Sequence, residues 1–401
     1  MKWLNSQTAA AAAAIIIAVA APCRGETTMP LEAEVEARIR TVKVAGATVD
    51  MGTSLSENLP RIPYTQQAGG PCMVFSDDPE YFRVPEGIGA RETVKPGVVR
   101  MYVYHVNGTT DSAKRITAVI DNLGSRPMTL KFRRYAFAGP SKNYHAVGKE
   151  GLVEFLSGTK LPPPRTIPPG GSETLDPAME AVPVDYDELV HGFYEFEVDQ
   201  PARLTTLQTT LDTSGPVASA RLEKPLVTKK ASGAGRGFFP FSDYTIANAP
   251  GYVLDSVNGP AQLIVADGVD DRWITGHDGD STIPAQNKGN YGVLYNIRLQ
   301  RQSSDGRGLA LIAWNHRSEN KWCWALAAAM IVSKGRFPAG LVQIPAEKIF
   351  MRGAPEASVI QIFPPVPKGK TDTIELVFSP PGASCLPVPL VFYPIDWPSA
   401  R

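Results

Sequence analysis

The sequence has no net charge and none of the common catalytic motifs. Its 401 residues include 40 basic and 40 acidic side chains. No net field therefore attracts a polyanion, and nucleic acid is not an expected partner. The motifs G-x-x-x-x-G-K-[ST], G-x-S-x-G, H-E-x-x-H and C-x-x-C are all missing. Their absence argues against the commonest nucleotide, serine hydrolase, zinc peptidase and dithiol mechanisms, and it favours a non-catalytic protein.

Long hydrophobic runs are missing after the first 25 residues. The apolar run Ala9–Ala21 follows Lys2, a pattern typical of a secretory signal, and it is short of the about 20 apolar residues of a membrane span. We expect a signal peptide over residues 1–20 and no transmembrane span in the mature chain. Lipidation of Cys23 is an alternative that Pro22 disfavours. The predicted location is secreted, periplasmic or at the cell surface.

Cysteine is scarce, with only Cys23, Cys72, Cys323 and Cys385 present. In an oxidising compartment four cysteines can pair in three ways. Cys323 and Cys385 fall in the same half of the chain, which favours them as a structural disulfide, with the other two paired or free. A cysteine among apolar neighbours can equally be a small buried hydrophobic residue, and the sequence does not separate the two interpretations.

The sequence does contain apolar material for more than one core. Hydrophobic residues make up 43% of the chain and charged residues 20%, and a chain of this length is long for a single core. We expect two domains joined by small, flexible linker residues at 229–237. The first domain takes residues 96–228, after an N-terminal extension and the start of that domain at 21–95. The second takes residues 238–401.

The segment that starts at Arg100 predicts β-strands. Three runs rich in β-branched and aromatic residues are separated by NGTTDS and NLGSRP. These breaks contain turn residues, so the runs are expected to be consecutive antiparallel strands. Residues 146–158 change to helical spacing and predict one short helix that ends at Gly158. The proline-rich segment 162–175 is expected to lack regular structure, and strands resume in HGFYEFEV and ARLTTLQTTL.

Short strands bounded by Gly, Pro, Asn and Ser also fill the second half. They are YGVLYNIRL, GLALIAWNHR, TIELVF and VPLVFYP, at the spacing typical of a sandwich. The expected fold class is all-β, with two β-sandwich domains, immunoglobulin-like or jelly-roll-like, and one short helix in the first domain.

The stretch NKWCWALAAAMIV, residues 320–332, is the nearest approach to a catalytic motif. It resembles the nucleophile region of papain-like cysteine peptidases, in which a Cys followed by Trp and Ala opens a buried helix. Such a nucleophile needs an imidazole as its base, and in that family the His follows the Cys. No histidine follows Cys323, so the peptidase alternative requires a permuted order with His277 or His316 as the base.

The same stretch fits a β-strand better than a helix. With a period of two, large side chains such as Trp322 and Trp324 fall on one face, and Cys323 falls on the other among alanines. Residues 309–332 are then expected to form a hairpin whose turn is HRSEN, with the sulfur of Cys323 shielded from chemistry.

Two further groups of residues are candidate binding sites. Clustered carboxylates can bind Ca²⁺ through several oxygens at once, although Asp is also an ordinary turn residue. The residues of this candidate metal site are Asp267, Asp270, Asp271, Asp278 and Asp280. Amphipathic aromatic rings can form a platform for sugars, although they are also common in β-domain cores. The candidates for the platform are Trp273, Tyr291 and Trp397.

Segments along most of the mature chain resemble a family of bacterial secreted proteins. They are YVYHVNGT with DNLGSRPMTLKFRR, AGPSKNYHAVGKEGLVEFL, RGFFPFSDYTI, GNYGVLYNI and GASCLPVPLVFYP. The resemblance implies paired β domains at the cell envelope, joined in some members to a copper amine oxidase N-terminal-like (stalk) domain, and it transfers no active-site residue. We therefore expect an exported binding or structural module that needs no cofactor, with a glycan or an envelope protein as its partner.

Overall fold

The chain folds mostly as β-strands. A computed structural model describes residues 33–56, 58–159, 161–227, 233–279, 283–317 and 324–397. Strands make up 46% of the structure and helices 11%, which confirms the predicted all-β class. The predicted signal peptide lies outside the described residues.

Twenty-five strands follow one another along the described residues. Those before the predicted linker are β1 (Ala47–Asp50), β2 (Tyr64–Gly69), β3 (Cys72–Ser76), β4 (Tyr81–Phe82), β5 (Gly87–Val94), β6 (Gly97–Asn107), β7 (Arg115–Asn122), β8 (Met128–Ser141), β9 (Arg165–Ile167), β10 (Ser172–Thr174), β11 (Leu189–Val198) and β12 (Ala202–Thr209). The remaining strands are β13 (Arg236–Phe239), β14 (Asp243–Asn248), β15 (Leu254–Asp255), β16 (Ala261–Val265), β17 (Thr275–Asp278), β18 (Ile283–Gln286), β19 (Leu294–Gln302), β20 (Gly308–Ala313), β21 (Ala328–Val332), β22 (Gly340–Ile344), β23 (Glu356–Phe363), β24 (Asp372–Phe378) and β25 (Val388–Ile395).

The helices of the described residues are few and short. They are α1 (Ala33–Thr41), α2 (Tyr144–Ser157), α3 (Pro177–Ala181), α4 (Gly215–Arg221) and a 3₁₀ turn at Ser256–Asn258. The predicted helix is α2, whose cap residue Asn143 accepts a hydrogen bond from Ala146 N at 3.1 Å. Gly158 ends it at φ 60°, a left-handed conformation that glycine adopts without a steric penalty. None of the helices in the described part of the chain is long and apolar enough to span a membrane.

The strands form four sheets. A four-stranded sheet has the order β10-β7-β12-β5, and a nine-stranded sheet has the order β18-β17-β13-β3-β6-β11-β8-β9 with β4 beside β6. A seven-stranded sheet has the order β2-β14-β19-β24-β21-β22 with β15 beside β19, and a five-stranded sheet has the order β1-β23-β20-β25-β16. Apolar side chains of the first two sheets share one core, and those of the last two share a larger core with α2 and the other face of the nine-stranded sheet, as in sandwich packing.

Two predicted strand pairings are wrong. The three runs after Arg100 are β6, β7 and β8, but β6 and β8 each pair with β11, whereas β7 pairs with β12 in the opposite sheet. Residues 309–332 do not form a hairpin, because β20 lies in the five-stranded sheet and β21 in the seven-stranded sheet. In both cases the chain crosses from one sheet to another instead of turning back. The segment 162–175 also contains two short strands, β9 and β10.

Strands from both sides of the predicted linker at 229–237 share the nine-stranded sheet. Strand β13 pairs antiparallel with β3. Nearby, the buried guanidinium of Arg100 in β6 donates to Glu195 Oε2 and to Asp243 Oδ1, each at 2.6 Å. Removing one partner of a buried ion pair is strongly destabilising, so this triad binds the two halves together. The predicted division into two domains is not shown by this topology and stays a prediction.

Candidate functional site

Most aspartates of the predicted calcium loop are neutralised by arginines of the protein. Arg61 forms ion pairs with Asp267 and with Asp270. Arg236 Nε lies 3.0 Å from Asp278 Oδ2. These three carboxylates therefore have cationic partners without any metal ion.

Asp271 is a buried structural carboxylate. It accepts hydrogen bonds from Gln66 Nε2 at 2.9 Å, from Ala266 N at 2.5 Å and from the Tyr295 hydroxyl at 2.5 Å. In the described part of the chain, no group of three or more His, Cys, Asp or Glu side chains is placed to hold a metal ion. Asp280 lies outside the described residues.

The three predicted platform aromatics lie in different surroundings. Tyr291 lines a cavity that is described below. Trp273 packs closely on Gly268, where an added Cβ would lie 2.6 Å from the indole ring. Trp397 packs on the core between α1 and the five-stranded sheet. Only Tyr291 of these three aromatic residues therefore belongs to the candidate site.

The proposed peptidase nucleophile, Cys323, lies outside the described residues. The chain from 324 to 332 is extended and not helical, so its described part does not form the helix of a papain-like site. The exposed ring of His277 stacks on Phe238 with a centroid distance of 5.1 Å, and His316 meets Trp314 edge-on at 6.1 Å. The peptidase alternative stays a prediction without support from the described geometry.

Of the remaining cysteines, Cys72 is a free thiol, and burial raises its pKa to about 11. Such a thiol is not reactive near neutral pH. The backbone N–H of Cys385 donates to Ala325 O at 3.1 Å. The predicted disulfide between Cys323 and Cys385 stays a prediction because residue 323 is not described.

A cavity of about 900 Å³ lies against one face of the nine-stranded sheet. This volume falls in the range of small-molecule sites in proteins. Its lining combines carboxyl groups, lysines and aromatic rings, which are Asp77, Glu80, Tyr102, Tyr104, Lys142, Asn143, Tyr144, His145, Gly233, Ala234, Lys288, Tyr291, Trp324, Phe350, Gly382 and Ala383.

The alternation of side chains along β3 and β6 determines which residues form the floor of this cavity. Strand β3 buries Met73 and Phe75 on the side of the larger core, and the same period of two carries the next odd residue, Asp77, to that side. Strand β6 runs parallel to β3 with Tyr102 opposite Phe75, so Tyr102 and Tyr104 face the same way. The cavity floor thus comes from two neighbouring strands.

Asp77 and Tyr104 each carry a buried polar atom on the cavity wall that lacks a hydrogen-bond partner among the described residues. Asp77 is 7% exposed and Tyr104 5%. Asp77 Oδ2 accepts from Ala234 N at 2.6 Å, but its Oδ1 has no partner, and neither does the Tyr104 hydroxyl. Buried polar groups are nearly always paired, so these two atoms have a hydrogen-bonding capacity that the described residues do not use.

Burial shifts the protonation of the two cavity carboxyls. Burial, followed by the charge of Glu80, raises the pKa of Asp77 well above its usual range. Glu80 is half-buried, and burial raises its pKa to about 7. Burial, with smaller effects of both carboxylates, also raises the pKa of Tyr291. Near neutral pH the floor of the cavity therefore retains protons that it can donate.

The start of α2 forms one wall of the cavity. The Tyr144 hydroxyl donates to Asp187 Oδ1 at 3.0 Å and lies 2.8 Å from the Tyr81 hydroxyl, and these contacts fix its ring. The exposed side chains of Lys142 and Lys288 belong to the same lining. The cavity therefore has acidic groups on its floor and positive charge at its solvent-exposed rim.

A cluster of rings forms the opposite wall. The His145 ring lies 5.1 Å from Trp324 and 5.3 Å from Phe350, and the Trp324 and Phe350 rings meet edge-on at 4.9 Å. The guanidinium of Arg352 lies over the Trp324 ring at 5.5 Å. Trp324 is still 37% exposed, so an indole surface remains open to a ligand.

A serine–histidine pair near this site is structural. Ser76 Oγ lies 2.7 Å from His105 Nε2, and His105 Nδ1 lies 2.9 Å from Pro79 O. Both side chains are fully buried, neither lines the cavity, and burial lowers the pKa of His105 to about 4. No substrate reaches this hydroxyl in the described geometry.

Sequence reasoning missed the two cavity carboxyls. Their signal was the tetrapeptide DDPE at 77–80, directly after the apolar residues of β3. That tetrapeptide lies in the segment 21–95, which was assigned only to an N-terminal extension and the start of a domain. The strand interpretation places Trp324 on one face of a strand, and among the residues that line the cavity only Tyr291 is a predicted binding residue.

Comparisons with known proteins add no function. No family model matches the chain, and no curated protein matches it. Among solved structures, the formate complex of Lactobacillus farciminis oxalate decarboxylase is 10% identical over 82% of this chain and 86% of that chain, with a TM-score of 0.11. A mutant of Bacillus subtilis oxalate decarboxylase is 9% identical over 83% and 79%, with a TM-score of 0.10. Likenesses this weak carry no argument about fold or function.

Proposed function

We propose that this protein is an exported binding module that holds a glycan in the cavity between the nine-stranded sheet and α2. The observation that carries the proposal is that Asp77 and Tyr104 line a cavity that also contains Trp324, and that Asp77 Oδ1 and the Tyr104 hydroxyl have no partner among the described residues. Hydroxyl groups of a sugar can pair with the two polar atoms, while its apolar face packs on the exposed indole.

The chemistry of the lining favours a saccharide over an apolar ligand. Carboxyl and phenol groups each donate or accept hydrogen bonds, and an apolar ligand would leave them unpaired at a cost of about 1–3 kcal/mol each. Lysines at the rim suit polar or negatively charged substituents. The cavity combines a few directed polar groups with aromatic walls, as small-molecule sites generally do.

The proposed location rests on the sequence. The predicted signal peptide at 1–20 and the resemblance to secreted bacterial proteins favour the cell envelope or the extracellular space. Export also suits the predicted disulfide between Cys323 and Cys385, because disulfides form in oxidising compartments.

The proposal is tested by titrating the mature protein with a panel of neutral and uronic-acid oligosaccharides. Binding is followed by calorimetry and by tryptophan fluorescence, since Trp324 lines the cavity. We expect at least one saccharide to bind, with an affinity about tenfold or more weaker for Trp324→Ala. Tyr104→Phe should weaken binding by about five- to tenfold, because it removes one buried hydrogen bond.

Trp273→Phe and Trp397→Phe are the matched controls, because these aromatic residues pack outside the cavity. Both should bind the same saccharide as the unmodified protein does. Absence of binding across the panel, or equal losses in the Trp324 and control variants, would contradict the proposal.

A further inference from the structure

Two carboxyl groups share the floor of the cavity in different settings. Asp77 lines the cavity and is buried, and its Oδ2 accepts a hydrogen bond from the N–H of Ala234, whereas its Oδ1 has no partner among the described residues. Glu80 follows three residues later, lines the same cavity and is partly open to solvent. A carboxyl group held inside and a second one within reach of water form a pair suited to acid–base chemistry.

We infer that this cavity hydrolyses the glycosidic bond of the saccharide it binds, with Asp77 as the proton donor and Glu80 as the base that activates water. The inference rests on the proposed function, because the substrate is the glycan of that proposal. It assigns the protein an activity, which a binding module does not need.

The reaction balances with water as the co-reactant. Asp77 transfers its proton to the glycosidic oxygen while the bond from that oxygen to the anomeric carbon breaks. Glu80 takes a proton from a water molecule whose oxygen forms the new bond to the anomeric carbon. The leaving sugar gains an O–H, the other sugar gains a hydroxyl, and exchange with solvent returns the protons to their starting positions.

The protonation states match these roles. Burial keeps the proton on Asp77, as a donor requires, whereas Glu80, with a pKa of about 7, is ionised in a large fraction of molecules near neutral pH. The other titratable groups on the cavity wall are Lys142, Tyr144, His145, Lys288 and Tyr291, with Tyr102 and Tyr104 on the floor. An arrangement of buried carboxyls that raises both pKa values is unfavourable for folding and is typical of catalytic sites.

The experiment uses the saccharide that binds best in the titrations above. The mature protein is incubated with it between pH 5 and 10, and the products are separated and weighed by mass spectrometry. We expect two products whose summed mass exceeds that of the saccharide by one water. The rate should rise with pH as Glu80 ionises near pH 7, and it should fall at higher pH as Asp77 loses its proton.

Asp77→Asn and Glu80→Gln keep the shape of the side chains and remove their acid–base function. Each should lower the cleavage rate at least 100-fold and still bind the saccharide, and Glu80→Gln should also lose the rise near pH 7. Glu150→Gln, an exposed carboxyl of α2 outside the cavity lining, is the matched control and should cleave normally. Melting temperatures verify that each variant is folded, and if Asp77→Asn does not fold, the Glu80→Gln pH profile decides.

The outcomes separate this inference from the proposed function. A saccharide that binds but stays intact overturns the inference and leaves the binding function standing. Cleavage by both carboxyl variants at the normal rate also overturns it, as does an unsaturated product formed without uptake of water. Failure of every saccharide to bind is a failure of the proposed function itself.

Discussion

Carboxyl groups cluster in two regions of the molecule, and the two regions differ in how these groups are paired. In the loop at 267–278, each aspartate has a partner, either an arginine such as Arg61 or a set of hydrogen-bond donors such as that of Asp271. In the cavity, Asp77 keeps one oxygen without a partner among the described residues. The loop also contains more acidic residues than the cavity, so the number of acids does not identify the site.

The difference is one of desolvation and pairing. A buried carboxylate that accepts several hydrogen bonds contributes to the fold, whereas burial without enough donors favours the protonated form of the group. The pKa of Asp77 is raised well above its usual range by burial, which shows how little the surroundings compensate its charge. The loop carboxylates are therefore structural, whereas Asp77 keeps a hydrogen-bonding capacity that the described residues do not use. The following predictions test that contrast.

The largest expected effect is on stability, in the loop. Asp271→Ala removes the acceptor for Gln66, Ala266 and Tyr295, and leaves buried donors without partners. We expect the free energy of unfolding to fall by about 3–5 kcal/mol, measured by urea denaturation. Asp270→Ala is the matched control: its carboxylate is exposed and should cost less than about 1 kcal/mol. Similar losses for both variants would remove the distinction between buried and exposed loop carboxylates.

Sequence reasoning reached the fold class and most strands, but not the site. The strands β6, β11, β19 and β25 could be predicted because their segments are rich in β-branched and aromatic residues, which favour strands. The strands that pair with them could not be predicted, because pairing depends on which sheet a chain segment enters after a turn. The asymmetry between Asp77 and Asp271 could not be predicted either, because it depends on distant donors: Gln66 reaches Asp271 from a position 205 residues earlier in the chain.

The next effect is the pH dependence contributed by Glu80. Its pKa is about 7 in the folded protein against a usual value of 4.5, so the folded state binds the proton more tightly. The stabilisation from this group is complete below about pH 4.5 and is lost as the pH rises through 7. The unfolding free energy of the unmodified protein minus that of Glu80→Gln should therefore fall by about 2–3 kcal/mol over this window.

The difference between the two proteins is the informative quantity in that measurement. Burial lowers the pKa values of His105 and His191 to about 4, and these residues alter stability in the opposite direction over part of the same range. Their contribution is the same in both proteins and cancels. A difference that stays flat from pH 4 to 8 would contradict the raised pKa of Glu80.

Asp77→Asn should not lower the free energy of unfolding, in contrast to Asp271→Ala. The amide oxygen can still accept from Ala234 N, and the replacement removes a group whose ionised form is disfavoured by burial. We expect the free energy of unfolding at pH 8 to stay level or to rise by about 1 kcal/mol, as replacements of strained functional residues often do. Urea denaturation measures it. A loss above about 2 kcal/mol would place Asp77 with the structural carboxylates instead.

The smallest effect is expected for Arg61→Ala at the surface of the loop. Arg61 is paired with Asp267 and Asp270, but its side chain is 53% exposed and that of Asp270 is 58% exposed, so water screens the attraction. We expect a loss below about 1 kcal/mol that shrinks further at high salt, measured by thermal melts at two salt concentrations. A larger loss of stability that salt does not reduce would mean that the Arg61 ion pairs stabilise the loop as strongly as buried ion pairs do. The contrast with the cavity would then rest on Asp271 alone.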